Sequence, residues 1–203
     1  MNAVSLIPAA LLWPAAILLA MTSTAMLVSR DWRACVGALA AQYVGVFVMV
    51  AFNWPLELAL VKMIAGWMTG AVLGVAVITA PQSWREQERS WPSGRVFRLL
   101  ASLLAGLVVI SLTAPGVALM PGLRLAQMAG ALTLMSMGLL QLGLTAQPLR
   151  VTLGLLTVLA GFEILYASVE AATLVAGLLA TVNLALALAG AYLLIAPTMG
   201  DVG

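Results

Sequence analysis

Apolar runs of membrane-crossing length recur along this chain, and short breaks rich in Arg, Pro, Gly and Trp divide them. A transmembrane helix needs roughly 20 consecutive, mostly apolar residues. By that measure the pattern predicts seven spans: about Val4–Val28, Ala34–Phe52, Pro55–Ala80, Val96–Ala114, Leu123–Leu144, Leu149–Glu170 and Thr173–Ala196. Pro8 and Pro14 fall early in the first, where proline is compatible with a helix start. The Ala114-Pro115-Gly116 and Pro121-Gly122 stretches predict an exposed turn that ends the fourth. The tail after Pro197 is polar and expected to fray. The fold class that follows is all-α, a polytopic bundle forming one transmembrane domain over residues 1–203.

Loop charges give the expected orientation. With seven spans, the breaks carrying Arg30 and Arg33, then Arg85, Arg89, Arg95 and Arg98, then Arg150 fall on one side, and only Arg124 falls on the other. Cytoplasmic loops carry the excess of basic residues, so the N terminus is expected outside and the C terminus in the cytoplasm. In the long loop, Trp84 and Trp91 suit the headgroup level, with the arginines in water.

Composition supports this reading and removes other classes. The chain is 64% hydrophobic and 8% charged with mean hydropathy +1.12, and no soluble domain could bury so much apolar surface. Nine basic against seven acidic residues reflects loop topology rather than a nucleic-acid face. One cysteine, Cys35, and no histidine remove disulfide frameworks, Cys/His metal sites and His-based acid–base catalysis. No phosphate loop, nucleophile elbow or pair of catalytic acids is present, so no catalytic site, metal or cofactor is expected and the chain is not expected to be an enzyme by itself. The opening stretch lacks the basic n-region of a cleaved signal and is read as the first span.

The chemistry that remains lies at membrane depth. Glu163 falls inside the sixth span, and an intramembrane carboxyl is a functional hypothesis by default; the alternative is a position near the helix end, facing interfacial water. Lys62 lies roughly 10 Å into the third span at 1.5 Å per residue, within partial snorkelling range. It could pair with Glu163 if spans three and six touch, and a buried Lys–Glu pair titrates as a unit that could pass a proton. Asn183, Tyr166, Gln42 and Gln141 are further polar groups in the spans; interhelical bonding or interface anchoring is the competing role for each. Tyr43 is read as packing or an anchor, and Glu57 and Glu170 as outer-surface groups. Gly66, Gly70 and Gly74 line one helix face and allow a close helix contact, within the chain or with a partner. A faint repeat sets Arg33 and Gly37 over Arg150 and Gly154, which raises the alternatives of an ancient three-helix duplication, with residues 4–80 as the second copy, or chance.

From the fifth span onward the motifs Gly143-Leu144 through Arg150, Gly161-Phe162-Glu163-Ile164-Leu165, and Asn183 before Leu-Ala-Leu-Ala-Leu-Ala-Gly190 resemble the three-helix K subunit of respiratory complex I and its relatives in Mrp antiporters and membrane-bound hydrogenases. The K-like unit would cover residues 123–196. The whole chain, with Leu60-Val-Lys62-Met-Ile64, is similar in layout to the longer member, hydrogenase-4 component E. The resemblance implies a proton-translocating role in a prokaryotic inner-membrane assembly with antiporter-like and other membrane subunits as partners, embedded in lipid. Glu163 and Lys62 would then titrate on the path, with Tyr166 and Asn183 beside it. One departure stands out: the family commonly has a second acid where this chain has Asn183, and an amide does not take up and release a proton at ordinary pH. A structural adaptor, or a small stand-alone transporter, remains the alternative.

Overall fold

The computed structural model describes residues 8–80 and 94–199, with side chains as far as 196. The expected positions of Trp84, Trp91, Arg85 and Arg89, the start of the first span and the frayed tail after 199 lie outside the described residues. Helix α1 is Leu12–Val28, entered through a single 3-10 turn at Ala9–Leu11; α2 is Trp32–Val50, α3 Leu56–Thr79, α4 Arg95–Leu119, α5 Leu125–Leu144, α6 Pro148–Val169 and α7 Thr173–Met199. All seven are long and apolar enough to cross a membrane, and no strand occurs among the described residues. The protein is a seven-helix transmembrane bundle.

Local chemistry sets the helix ends. Asp31 caps α2 by accepting from the Arg33 backbone N–H at 3.0 Å, satisfying one of the donors left open in a first turn. Pro148 opens α6, where its missing N–H costs nothing. Gln127 reaches back to the Arg124 N–H at 3.1 Å to close the start of α5. One boundary differs from expectation: α4 does not stop at Pro115 but continues to Leu119, and the turn comes at Met120–Leu123. Proline is accommodated in a membrane helix when neighbours support the turn around it. Here Gly116 lies close against Met128 of α5, and a Cβ on it would come 2.9 Å from the Met128 sulfur.

The helices form two layers. In one, α1 packs on α2 and α2 on α3; in the other, α5 packs on α6 and α6 on α7. The layers stack so that α1 meets α5, α2 meets α6 and α3 meets α7. Helix α4 lies outside, against α5 and the edge of α1. Small residues bring the backbones close, so that van der Waals packing between helices contributes to their association in lipid. A Cβ on Gly138 would come within 2.8 Å of the Gly154 carbonyl oxygen, and one on Gly161 within 2.8 Å of the Ala131 carbonyl oxygen. The two residues matched in the faint repeat have different roles: Arg33 is exposed with its guanidinium 5.5 Å from the Trp32 ring, whereas Arg150 is buried; Gly37 meets open space, whereas Gly154 packs on Leu142.

Arg98, expected in loop water, and Arg150, expected in a basic turn between spans, are both interior. Arg150 is fully buried and donates to the carbonyls of Met26 at 3.2 Å and Ser29 at 2.7 Å, and buried Arg98 donates to Leu27 at 3.1 Å. The last carbonyls of a helix lack partners within it and carry partial negative charge. The two guanidiniums therefore close the end of α1 and tie it to α6 and α4.

Candidate functional site

Helices α2, α3, α7 and α6 pack as a square, with α3 opposite α6 and α2 opposite α7. One polar side chain from each of the four joins a single buried cluster. Lys62 of α3 donates to Oε1 of Glu163 on α6, an ion pair across one diagonal. Tyr43 of α2 donates its hydroxyl to Oδ1 of Asn183 on α7 at 3.3 Å, across the other. The Asn183 amide then donates to Glu163 Oε1 at 3.4 Å, joining the diagonals. Lys62 is 4% exposed, Glu163 1%, and Tyr43 and Asn183 0%.

The sequence builds this cluster through helix depth and small neighbours. At 1.5 Å per residue, Glu163 lies roughly 9 Å from the end of α6 and Lys62 roughly 9 Å from the start of α3, so the groups stand at one level. Asn183 is roughly 15 Å into α7, near its middle. Gly66 makes room: a Cβ there would strike the Tyr43 ring, so the aromatic lies flat against bare α3 backbone. The pairing expected between Lys62 and Glu163 forms, but not because α3 and α6 abut. Their long side chains span the diagonal.

Charge balance explains how these groups persist in an apolar bundle. An isolated buried charge costs several kcal/mol, whereas a paired and hydrogen-bonded one is tolerated. Glu163 Oε1 receives both an ammonium and an amide, while Oε2 has no hydrogen-bond partner among the described residues. The acid therefore has one oxygen held by two donors and one buried without a hydrogen-bond partner. Asn183 accepts from a phenol and donates to a carboxylate, so it connects two titratable groups without titrating itself.

Other expected residues are placed elsewhere. Tyr166 is half-buried one helical turn beyond Glu163, with its ring edge-on to Trp54 at 6.4 Å and stacked on Phe162 at 6.3 Å; it forms an aromatic cluster rather than part of the polar one. Trp54 also donates to the Glu170 carbonyl at 2.9 Å, fixing that end of the bundle. Glu57 and Glu170 are exposed, and Gln42 is buried on α2, donating to Thr157 at 3.4 Å. Gln141 bonds the Arg150 carbonyl at 3.0 Å and Gln127 the Met49 carbonyl at 2.9 Å, both as interhelical or turn ties. The Gly66, Gly70, Gly74 face is turned to α2: Tyr43 covers Gly66, and a Cβ on either of the other two would lie about 4 Å from Val36. Its contact is within the chain.

Tyr43 is the group that sequence reasoning placed among the packing residues. Its signal was available in the adjacent Gln42-Tyr43 at mid-span, two polar side chains where lipid or core would demand none. No metal-binding group of three or more Cys, Asp or Glu occurs among the described residues. No family model, curated protein or solved structure matches the chain.

Proposed function

We propose that this membrane protein is a non-catalytic subunit of a redox-driven, proton-translocating complex of the complex I or membrane-bound hydrogenase kind, and that protons pass through the Lys62–Glu163 pair. The observation that carries the reading is a charged pair buried at the centre of a helical bundle and satisfied by only one carboxylate oxygen. Ionisable residues at membrane depth are rare and costly, and they line ion and proton paths in pumps and transporters. Glu163 takes a proton at Oε2, its bond to Lys62 weakens, and the ammonium turns to a new acceptor or gives up a proton in its turn. The two groups thus titrate as one unit. Asn183 and Tyr43 hold Oε1 in place while this happens. The motifs around Glu163 that resemble the K subunit, and the layout that resembles hydrogenase-4 component E, support antiporter-like membrane subunits as partners in a prokaryotic inner membrane with the C terminus cytoplasmic.

A structural adaptor is the second reading, and Asn183 favours it. Where the resembled family commonly has a second acid, this chain has an amide, so the cluster holds only one carboxyl. In that case the pair fixes the four helices and passes nothing.

Purification in mild detergent through a C-terminal tag, with mass spectrometry of the co-eluting proteins, tests the assembly. Large antiporter-like subunits together with iron–sulfur or hydrogenase-like proteins are the expected result. A protein that elutes alone and moves ions in liposomes would overturn it in favour of a self-contained transporter.

A further inference from the structure

We propose that a buried water molecule bridges Oε2 of Glu163 and Oε1 of Gln42, and that Glu163 takes its proton from this water. The second half rests on the function proposed above; the water site does not. Both oxygens belong to fully buried side chains, and neither has a hydrogen-bond partner among the described residues. A buried acceptor left bare costs stability, and native proteins rarely leave one so. Which end of the Gln42 amide is bare follows from Thr157. The Thr157 hydroxyl spends its one hydrogen on the Leu153 carbonyl at 2.8 Å, so toward Gln42 it can only accept. The Gln42 group 3.4 Å from it is therefore the NH2, and the carbonyl oxygen is the end left over.

Helix register brings the two oxygens to neighbouring levels. Consecutive helices α6 and α7 run antiparallel, and Gly190 of α7 packs on Thr152 of α6. Two turns back along α7, Asn183 stands level with about Leu159 of α6. The Glu163 carboxylate is bonded to the Asn183 amide there, so it reaches from its own Cα back toward the start of α6, the direction in which helical side chains lean. Gln42 meets α6 at Thr157, about 3 Å nearer that start at 1.5 Å per residue. Ala160 lies between Thr157 and Glu163 along the helix, about 60° around it from both, and projects only a methyl group. Two oxygens that both accept cannot bond each other; a molecule with two donors joins them, and water is the smallest such molecule. Lys62 already balances the charge of Glu163, which favours a neutral bridge over a metal cation. A proton arriving on this water passes to Oε2, leaving a neutral water and a protonated carboxyl. Gln42 is a positioning residue: it holds the water and extends the polar cluster to the edge where α2 meets α6.

X-ray hydroxyl-radical labelling of the purified protein tests this, because radiolysis of a bound water oxidises the side chains beside it even where bulk solvent is excluded. Tyr43, next to Gln42 and bonded to Asn183, is the reporter; Met49, equally buried in an apolar cluster, is the control. Tyr43 should be oxidised and Met49 spared. Gln42→Leu should cut Tyr43 oxidation several-fold with the melting temperature held, and should lower proton translocation by the proposed host complex. Tyr43 no more oxidised than Met49 in the unaltered protein would overturn the water site without any variant, as would Tyr43 oxidation unchanged in folded Gln42→Leu. Loss of the label with a full proton gradient would overturn the water's place on the path. The label is read without proton translocation, so failure of the water site and failure of the proposed function are told apart.

Discussion

The Lys62 ammonium donates to Oε1 of Glu163 across the diagonal of a four-helix square, joining α3 to α6 through side chains alone. Neither group reaches the lipid, and neither could be left single at that depth without a large desolvation cost.

That coupling is measurable by unfolding in detergent. Lys62→Met or Glu163→Leu alone strands the partner's charge, and each is expected to lower stability by about 3–5 kcal/mol. The double variant Lys62→Met, Glu163→Leu should cost clearly less than the sum, because it buries no lone charge. Additive losses would show that the two side chains act independently.

The Tyr43 ring against Gly66 gives a second expectation. Gly66→Ala puts a methyl group into the ring and should destabilise by about 1–3 kcal/mol, as overpacking of a closed contact does. Gly70→Ala, whose Cβ would meet Leu39 and Val36 at 4.0 Å, should change stability little. Thermal unfolding of the two variants side by side separates a local fit from a general need for glycine on that face.

The seven spans were legible because length and hydropathy are one-dimensional properties. Six of the seven predicted C-terminal ends fall within three residues of the helix ends. The exception is α4, where Pro115 and Gly116 read as a stop but lie against α5, and only the neighbour decides that such a turn continues. Glu163 and Lys62 were legible as charges in apolar runs. Tyr43 was not, since its role depends on Asn183 lying 140 residues away on the opposite corner. The depth of Arg98 and Arg150 was also hidden: basic residues at span ends read as loop charge, and the carbonyls that draw them in belong to the end of α1.

Those carbonyls support a third expectation. Arg150→Gln removes charge-assisted bonds to Met26 and Ser29 and should cost about 3 kcal/mol. Arg33→Gln should be nearly silent, because Arg33 is exposed beside Trp32. Chemical denaturation of each variant checks the contrast.

Asn183 supplies a fourth. Asn183→Leu removes the bonds to Tyr43 and Glu163, both near the long end of hydrogen-bond range, so the expected loss is only about 1 kcal/mol. Its larger effect should be on Glu163, which would lose the donor that shares Oε1 with Lys62. Comparing unfolding of Asn183→Leu in the parent and in the Lys62→Met, Glu163→Leu background would reveal that link as non-additivity. Equal losses in the two backgrounds would show that Asn183 serves helix packing alone.

Proton translocation by the proposed host complex in inverted membrane vesicles carrying Glu163→Gln is the most direct measurement. Glutamine keeps the shape and a carbonyl for Lys62 but cannot exchange a proton. The expected result is a complex that assembles and turns over electrons while its proton gradient falls several-fold or disappears. A full gradient in that variant would contradict a proton path through Glu163 and leave the buried pair a structural tie.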